Sequence, residues 1–285
     1  MGLLETHGLT KRFAGLTAVD DVDLSVERGN TRAVIGPNGA GKSTFINLVT
    51  GLLDPTEGYV YYDPSDADAA ELSELEGTPE NDRTSDQRQR LKELRSEYSI
   101  TGWEPHDIVQ QGVSKSFQTA SIFPGMTVRE NVEMAALASE HGSFQVNFFK
   151  HRNSFGSVHD IATEMLESVG LLESAEMNAA NLPYGDKRRL EIAIALASEP
   201  DLLFMDEPTA GMSPEETHAT VDLVERLQEE LGLTIVLVEH DMEIIFRIAD
   251  SIAVLNRGRI IADGPPEEVK GDPNVQDAYL GGVEL

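Results

Sequence analysis

The sequence has no cysteine in its 285 residues. Disulfides, zinc–thiolate sites and a catalytic thiol are therefore excluded, and the fold needs no oxidising compartment. No apolar run approaches the length of a membrane-spanning helix, and Glu5 and His7 lie where a signal peptide would need an apolar core. We therefore expect a cytosolic chain that cannot cross a bilayer by itself.

Positive charge is also scarce. The 22 lysines and arginines, mostly arginines, stand against 50 aspartates and glutamates, which gives a formal net charge of −28. Such a chain repels nucleic acid and anionic membrane surfaces, so no nucleic-acid partner is expected and an anionic ligand requires a local, structured site. The acid-rich, lysine-poor composition is typical of adaptation to a high-salt cytoplasm, and an ordinary acidic protein is the alternative.

Strands alternate with helices after the opening segment, which indicates an α/β fold with a parallel sheet covered by helices. Alternating apolar residues in 18–26, a turn at 27–30 and the apolar run 31–35 predict a hairpin that leads into the first buried strand. Residues 58–62 are typical of an edge strand.

Two further features mark the middle of the chain. The acidic segment 64–98 has almost no apolar periodicity before Leu91, so it is predicted to be a solvated insertion, partly helical near its end, with a docking element as the alternative. Residues 127–130 and 213–216 have the spacing of capping boxes and predict helix starts, while Gly170 and Gly232 are candidate left-handed helix ends.

A glycine-rich loop follows the apolar run 31–35 and precedes a predicted helix. Its glycines permit backbone conformations that turn successive amides inward, where the N-terminus of the helix also favours an anion. Lys42 is placed to reach the β and γ phosphates of a nucleotide, and the Ser43 hydroxyl to ligate magnesium. The predicted phosphate-binding residues are Gly36, Pro37, Asn38, Gly39, Ala40, Gly41, Lys42, Ser43 and Thr44.

Carboxylates end a second apolar run, 202–206, which has the character of a buried parallel strand. Ligand chemistry in parallel sheets takes place at the carboxyl ends of strands, so Asp206 is a candidate magnesium ligand and Glu207 a candidate general base. The strand 234–238 delivers His240 to the same edge, where it could contact a γ-phosphate.

These motifs, in this order, resemble those of the nucleotide-binding subunit of an ABC transporter. The resemblance extends over almost the whole chain apart from the acidic insertion, and it is nearest to the ATP-binding subunits of branched-chain amino-acid importers. The segments that resemble the family are 36–44, 117–118, 182–193, 205–208 and 240–241. Segments 210–217 and 272–281 resemble the sequences of the branched-chain amino-acid subgroup.

The resemblance implies a P-loop NTPase core with an antiparallel β subdomain and an α-helical subdomain. Its expected organisation is a single ABC ATPase domain, 1–285, divided into a β subdomain with the phosphate loop (1–62), the insertion (64–98), a helical subdomain (119–185), a catalytic core (186–250) and a C-terminal hairpin with a tail (251–285).

The resemblance also implies further site residues. Phe13 stands where an aromatic ring stacks on adenine, and Gln118 where a glutamine contacts magnesium and the attacking water. Tyr184, Gly185 and Asp186 stand in the signature segment, which in this family faces the γ-phosphate of ATP held by a second subunit. The expected ligands are therefore ATP and Mg²⁺.

The implied partners are a second ATP-binding subunit, identical or different, and transmembrane permease subunits that provide the only membrane contact, at the cytoplasmic face. The resemblance implies that hydrolysis drives import of branched-chain or other hydrophobic amino acids. A non-transport ABC ATPase and a weakly hydrolysing nucleotide-gated regulator are the alternatives.

The signature segment departs from the common Leu-Ser-Gly-Gly-Gln pattern of the family. Proline stands in the serine position, Tyr184 in place of the first glycine and Asp186 in place of glutamine. Pro183 has neither a hydroxyl nor a backbone donor, so a phosphate contact must rest on Gly185 and nearby amides, assisted by a helix predicted over 187–198. Asp186 would repel a phosphate unless it is turned away or paired with Arg188 or Arg189.

Overall fold

The computed structural model describes residues 2–116, 122–141 and 151–280. The strands are β1 (Gly2–Phe13), β2 (Leu16–Glu27), β3 (Thr31–Ile35), β4 (Glu57–Tyr62), β5 (Val113–Ser116), β6 (Leu202–Asp206), β7 (Thr234–Val238), β8 (Ser251–Asn256) and β9 (Arg259–Gly264). The helices are α1 (Lys42–Val49), α2 (Asp66–Gly77), α3 (Ser85–Tyr98), α4 (Pro105–Gln110), α5 (Val128–His141), α6 (His151–Ser168), α7 (Tyr184–Leu196), α8 (Pro214–Leu231), α9 (Met242–Ile248), α10 (Pro266–Gly271) and α11 (Pro273–Leu280).

The chain divides into two compact units. The first comprises Met1–Glu104 and Ala249–Leu285, and the second comprises Pro105–Ile248. No helix in the part of the chain that the structure describes is both long and apolar enough to span a bilayer.

The first unit contains an antiparallel sheet in the order β2-β1-β4, so β4 is the edge strand that the sequence predicts. The predicted hairpin between 18–26 and 31–35 is wrong, because β2 pairs with β1 whereas β3 pairs in parallel with β8. The burial patterns explain the difference. Every residue of β3 is buried, as in a strand covered on both faces, while β2 alternates between buried and exposed residues.

The acidic segment forms two helices, α2 and α3, and not a solvated excursion with helix only near its end. Leu72 and Leu75 of α2 pack with Leu91 and Leu94 of α3 on the buried ring of Tyr61. Each helix thus contributes one short pair of leucines spaced by three residues. A stripe of that length gives little apolar periodicity, which is why the sequence did not indicate a packed hairpin.

The second unit contains three parallel strands, with β6 between β5 and β7. Its apolar core draws on α5 to α9 and on β6 and β7. Both predicted capping boxes are present, since Thr127 and Glu130 exchange hydrogen bonds and Ser213 and Glu216 do the same. Helix α7 begins at Tyr184, three residues before the predicted start, so Gly185 lies in its first turn.

Candidate functional site

The glycine-rich loop of the first unit joins β3 to α1, and its backbone approaches other backbone closely. A Cβ atom on Gly36 would lie 2.0 Å from the carbonyl oxygen of Leu255, and one on Gly41 would lie 2.3 Å from that of Ala18. Gly41 precedes the first residue of α1 and has a φ of 108°. As a glycine, it has no side chain that could cap the helix. Both positions therefore require glycine, and a glycine-rich loop before a helix start can supply the backbone N–H donors that a phosphate requires.

Lys42 lies at the start of α1 with its side chain largely buried. Its ammonium group donates to the carbonyl oxygens of Gly36 at 2.6 Å and Pro37 at 3.4 Å. The positive charge is thus held against the loop itself. Ser43 is exposed in the first turn of α1 and Thr44 is half-buried, so both hydroxyls lie on the helix end that follows the loop.

Phe13 ends β1 with 42% of its surface exposed. Lys11 places its ammonium nitrogen 5.2 Å from the centre of the Phe13 ring. An exposed aromatic ring can stack on a nucleobase, and the assignment of Phe13 to adenine stays a prediction.

Parallel pairing in the second unit brings two strand ends together. Asp206, the last residue of β6, is in register with Val238, the last residue of β7. The next residue, Glu207, has φ 51° and donates its backbone N–H to the carbonyl oxygen of Val238 at 2.8 Å. A left-handed backbone at a glutamate is uncommon and costs conformational free energy, so the surrounding contacts must hold Glu207 in place.

His240 is one of those contacts. Its Nε2 lies 2.5 Å from Oε1 of Glu207, and both side chains remain partly exposed. The sequence placed each residue at a strand end, and the structure brings the two side chains into direct hydrogen-bond contact. A carboxylate held in this way can accept a proton from water while the imidazole fixes its orientation.

Glu239 has an organising role that the sequence did not suggest. It is 4% exposed, and its Oε1 accepts hydrogen bonds from both the backbone N–H and the hydroxyl of Thr209, while its Oε2 accepts the backbone N–H of His240. One buried carboxylate therefore ties the turn after Glu207 to the histidine. The sequence did offer one indication of this role, because Glu239 is a charged residue that directly follows a buried strand.

Asp206 is buried at the end of β6, with its Oδ2 3.9 Å from Nζ of Lys115 on β5. Burial lowers the pKa of Lys115, and the charge of Asp206 opposes that shift. Ser43 and Asp206 offer the hard oxygen atoms that Mg²⁺ prefers. No group of three His, Cys, Asp or Glu side chains converges on a metal position within residues 2–116, 122–141 and 151–280. Gln118 lies outside the described residues.

The signature residues lie at the start of α7. Tyr184 is 49% exposed, and Gly185 follows it in the first helical turn. Asp186 lies 3.8 Å from Arg189, which supplies one of the two pairings expected for its charge. The guanidinium of Arg188 instead pairs with Glu191 at 2.8 Å.

The ABC transporter family matches residues 19–210, and the family described as branched-chain amino acid ATP-binding cassette transporter matches residues 259–284. The chain is 37% identical over 282 residues to the high-affinity branched-chain amino acid transport ATP-binding protein BraF of Pseudomonas aeruginosa, and 98% of each chain is covered.

Solved structures give the same result. An ATP-binding cassette of an ABC transporter in its ADP conformation superposes with a TM-score of 0.76 at 29% identity, covering 99% of both chains. A dimeric ATP-binding cassette bound to ADP and Pi, in a post-hydrolysis state, superposes with a TM-score of 0.64 at 26% identity over 93% of this chain and 99% of that one. The predicted fold class is thereby confirmed.

Proposed function

Because the chain belongs to the ABC transporter family, we propose that it is the ATP-hydrolysing subunit of an importer for branched-chain or other hydrophobic amino acids. Family membership makes it an ATPase. The amino-acid cargo is supported by the family match over residues 259–284 and by the branched-chain amino acid transport for which the BraF relative is named. The contact between Glu207 and His240 is the observation that carries the hydrolytic role.

Nucleotide binding is assigned to the glycine-rich loop of the first unit. Its backbone N–H groups, the end of α1 and the Lys42 ammonium supply the donors and the positive charge that a triphosphate requires. On phosphate binding, Lys42 exchanges the carbonyl oxygens of Gly36 and Pro37 for phosphate oxygens. Phe13 stacks on the adenine ring.

Hydrolysis is assigned to residues of the second unit. Glu207 accepts a proton from the attacking water at its carboxylate, and His240 holds that carboxylate through Nε2. Ser43, Asp206 and Gln118 are the residues that would hold Mg²⁺, and the ion would supply positive charge to offset that of the phosphates. Glu239 keeps Thr209 and His240 in place. These contacts maintain the left-handed backbone of Glu207 while its carboxylate accepts the proton.

A second ATP-binding subunit completes each site under this proposal. Its support is the likeness to a dimeric cassette and the position of Tyr184, Gly185 and Asp186 in the signature segment. Permease subunits provide the path through the membrane, and this chain acts on the cytoplasmic face as a peripheral subunit. Its formal net charge of −28 is suited to a high-salt cytoplasm, where ions screen the self-repulsion.

Uptake of radiolabelled leucine tests the transport role. Cells that lack this chain should regain ATP-dependent uptake when they receive the wild type and should not regain it with Lys42→Ala, because that variant loses the charge that binds phosphate. Lys92→Ala, which removes an exposed lysine from α3, is the matched control and should restore uptake. Equal uptake with and without the wild-type chain would contradict the proposal.

A further inference from the structure

Two segments of the second unit meet through Tyr184. The signature segment, 182–186, precedes and opens α7, and the loop 207–213, here called the carboxylate loop, follows β6 and begins with Glu207. The Tyr184 hydroxyl donates a hydrogen bond of 2.9 Å to the carbonyl oxygen of Ala210 in the carboxylate loop. Glycine, which the common signature has at this position, offers no side chain for such a bond.

The tyrosine is held on the loop by more than this bond. A Cβ atom on Gly211 would lie 3.4 Å from the Tyr184 hydroxyl oxygen, so the phenol lies directly against the loop backbone. Arg188 donates to the same hydroxyl at 3.2 Å, and Arg188 is itself anchored to Glu191 at 2.8 Å. The position of the hydroxyl is therefore defined from both sides.

Glu216 makes a second link between the same two segments. Its Oε2 accepts the backbone N–H of Ser213 at 2.9 Å, and its Oε1 lies 2.9 Å from the place where a Cβ atom of Gly185 would be. Hydrogen bonds from the backbone and hydroxyl of Ser213, together with one from the backbone of Gly185, hold the pKa of Glu216 below its usual range. The carboxylate thus joins the first turn of α7 to the end of the carboxylate loop.

The contacts of Tyr184 with the carboxylate loop extend to the backbone of Glu207. The N–H of Ala210 donates to the carbonyl oxygen of Glu207 at 3.1 Å, so the residue that Tyr184 holds is bonded to the backbone of Glu207. We propose that Tyr184 and Glu216 are positioning residues that couple the signature segment to Glu207 within one chain. This inference rests on the proposed function. Contact of the signature with nucleotide in one site would then adjust the carboxylate that acts in the other.

Tyr184→Phe removes only the hydroxyl and tests this coupling. We expect kcat for ATP hydrolysis to fall about 3- to 10-fold, the effect of one lost hydrogen bond that matters in the transition state. The KM for ATP should remain within about twofold, because the hydroxyl that is lost bonds the carbonyl oxygen of Ala210, while the aromatic ring of the signature segment is kept. Melting temperature, measured for each variant, reports whether the fold is preserved.

Tyr98→Phe is the matched control. It removes the same atom, which in α3 donates to Asp68 at 2.9 Å, and it should leave kcat and KM at their wild-type values. A wild-type kcat for Tyr184→Phe would overturn the coupling, as would a fall that tracks the melting temperature and is recovered on cooling. Failure of the wild type to hydrolyse ATP would instead overturn the proposed function, and the wild-type assay alone reveals it.

Glu216→Gln tests the second link. The amide replaces one acceptor oxygen with a donor that opposes the N–H of Ser213 or Gly185, so we expect the same fall in kcat at unchanged KM. The neighbouring Glu215→Gln makes the same chemical change at an exposed position of α8 and should behave as the wild type. Equal kcat values for these two variants would overturn the role of Glu216.

Discussion

Oε1 of Glu207 lies 2.5 Å from Nε2 of His240, although 33 residues separate the two along the chain. Parallel pairing of β6 with β7 produces this contact, since Asp206 and Val238 end their strands in register. The carboxylate that the proposal assigns to the attacking water is therefore held by a side chain from the next strand. The buried carboxylate of Glu239 bonds both His240 and Thr209, the second residue after Glu207.

Glu239→Gln should damage both stability and hydrolysis. Three donors, two from Thr209 and one from His240, point at the Glu239 carboxylate, and an amide nitrogen in place of either oxygen would oppose at least one of them. We expect the free energy of unfolding to fall by about 1–3 kcal/mol, and kcat to fall as well. Denaturant titration and steady-state phosphate release measure the two effects.

Variants of Thr209 separate the hydroxyl from the bulk of the side chain. Thr209→Ser keeps the donor to Glu239 and should retain most activity, whereas Thr209→Val removes it and should resemble Glu239→Gln. Glu229→Gln neutralises an exposed glutamate of α8 and serves as the control for the charge that Glu239→Gln removes. Identical kcat values for the serine and valine variants would contradict the role assigned to this bond.

Gly41→Ala should weaken nucleotide binding. A Cβ atom would lie 2.3 Å from the carbonyl oxygen of Ala18, and the residue has φ 108°, so the loop must move to accept it. Strain of about 1–3 kcal/mol in the loop of the bound conformation corresponds to roughly a 5- to 150-fold loss of ATP affinity. Fluorescent-nucleotide titration measures the affinity.

Gly77→Ala is the control for this substitution, because its added Cβ would meet no atom within 4 Å apart from its chain neighbours and the backbone of its own helix. It should bind ATP as the wild type does. Equal affinities for the two alanine variants would show that the loop does not approach Ala18 as closely as described.

Glu76 should make the stability of the helical hairpin α2–α3 depend on pH. Burial by itself would raise the pKa of Glu76, but hydrogen bonds from Arg95 and Tyr61 outweigh burial and hold the pKa below its usual range. A carboxyl group with a lowered folded pKa stabilises the fold above its unfolded pKa, about 4.3, and this contribution is lost as pH falls toward the folded value. Glu76→Gln should remove that contribution.

Urea unfolding at several pH values measures the effect. The difference in the free energy of unfolding between the wild type and Glu76→Gln should be about 1–3 kcal/mol near neutral pH and should shrink below about pH 4.3. Glu93→Gln, an exposed change on α3, should show a smaller difference at every pH. A difference for Glu76→Gln that does not change with pH would contradict the linkage.

Salt should stabilise the whole chain. The formal net charge of −28 repels itself most strongly at low ionic strength, and the Debye length falls from about 10 Å at 0.1 M salt to about 3 Å at 1 M. Melting temperature should therefore rise with KCl over this range. Sucrose favours compact states without screening charge and should give a smaller increase. A melting temperature that is independent of KCl would contradict the proposed adaptation to a high-salt cytoplasm.

The sequence predicts those site residues and helix starts that depend on a short motif. The loop from Gly36 to Ser43 and the strand end at Asp206 and Glu207 are recognisable because a phosphate site needs glycine, lysine and carboxylates at fixed spacing. Capping boxes at Thr127 and Ser213 were predictable for the same reason, since each depends on residues three apart.

The sequence did not predict the contacts between segments that are far apart along the chain. The bonds of Glu239 to Thr209 and of Tyr184 to Ala210 join residues 30 and 26 positions apart, and nothing in either local sequence specifies its partner. The pairing of β2 with β1 was missed for a related reason, because the turn before β3 is as compatible with a sheet change as with a hairpin.

Steady-state phosphate release by wild-type chain and by Glu207→Gln tests the central claim most directly. The variant keeps the shape of the side chain but cannot accept the proton of the attacking water, so kcat should fall by ~10²–10⁴-fold, about 3–5 kcal/mol of barrier. ATP affinity should be unchanged in a titration under the same conditions. Hydrolysis by Glu207→Gln at the wild-type rate would contradict the account.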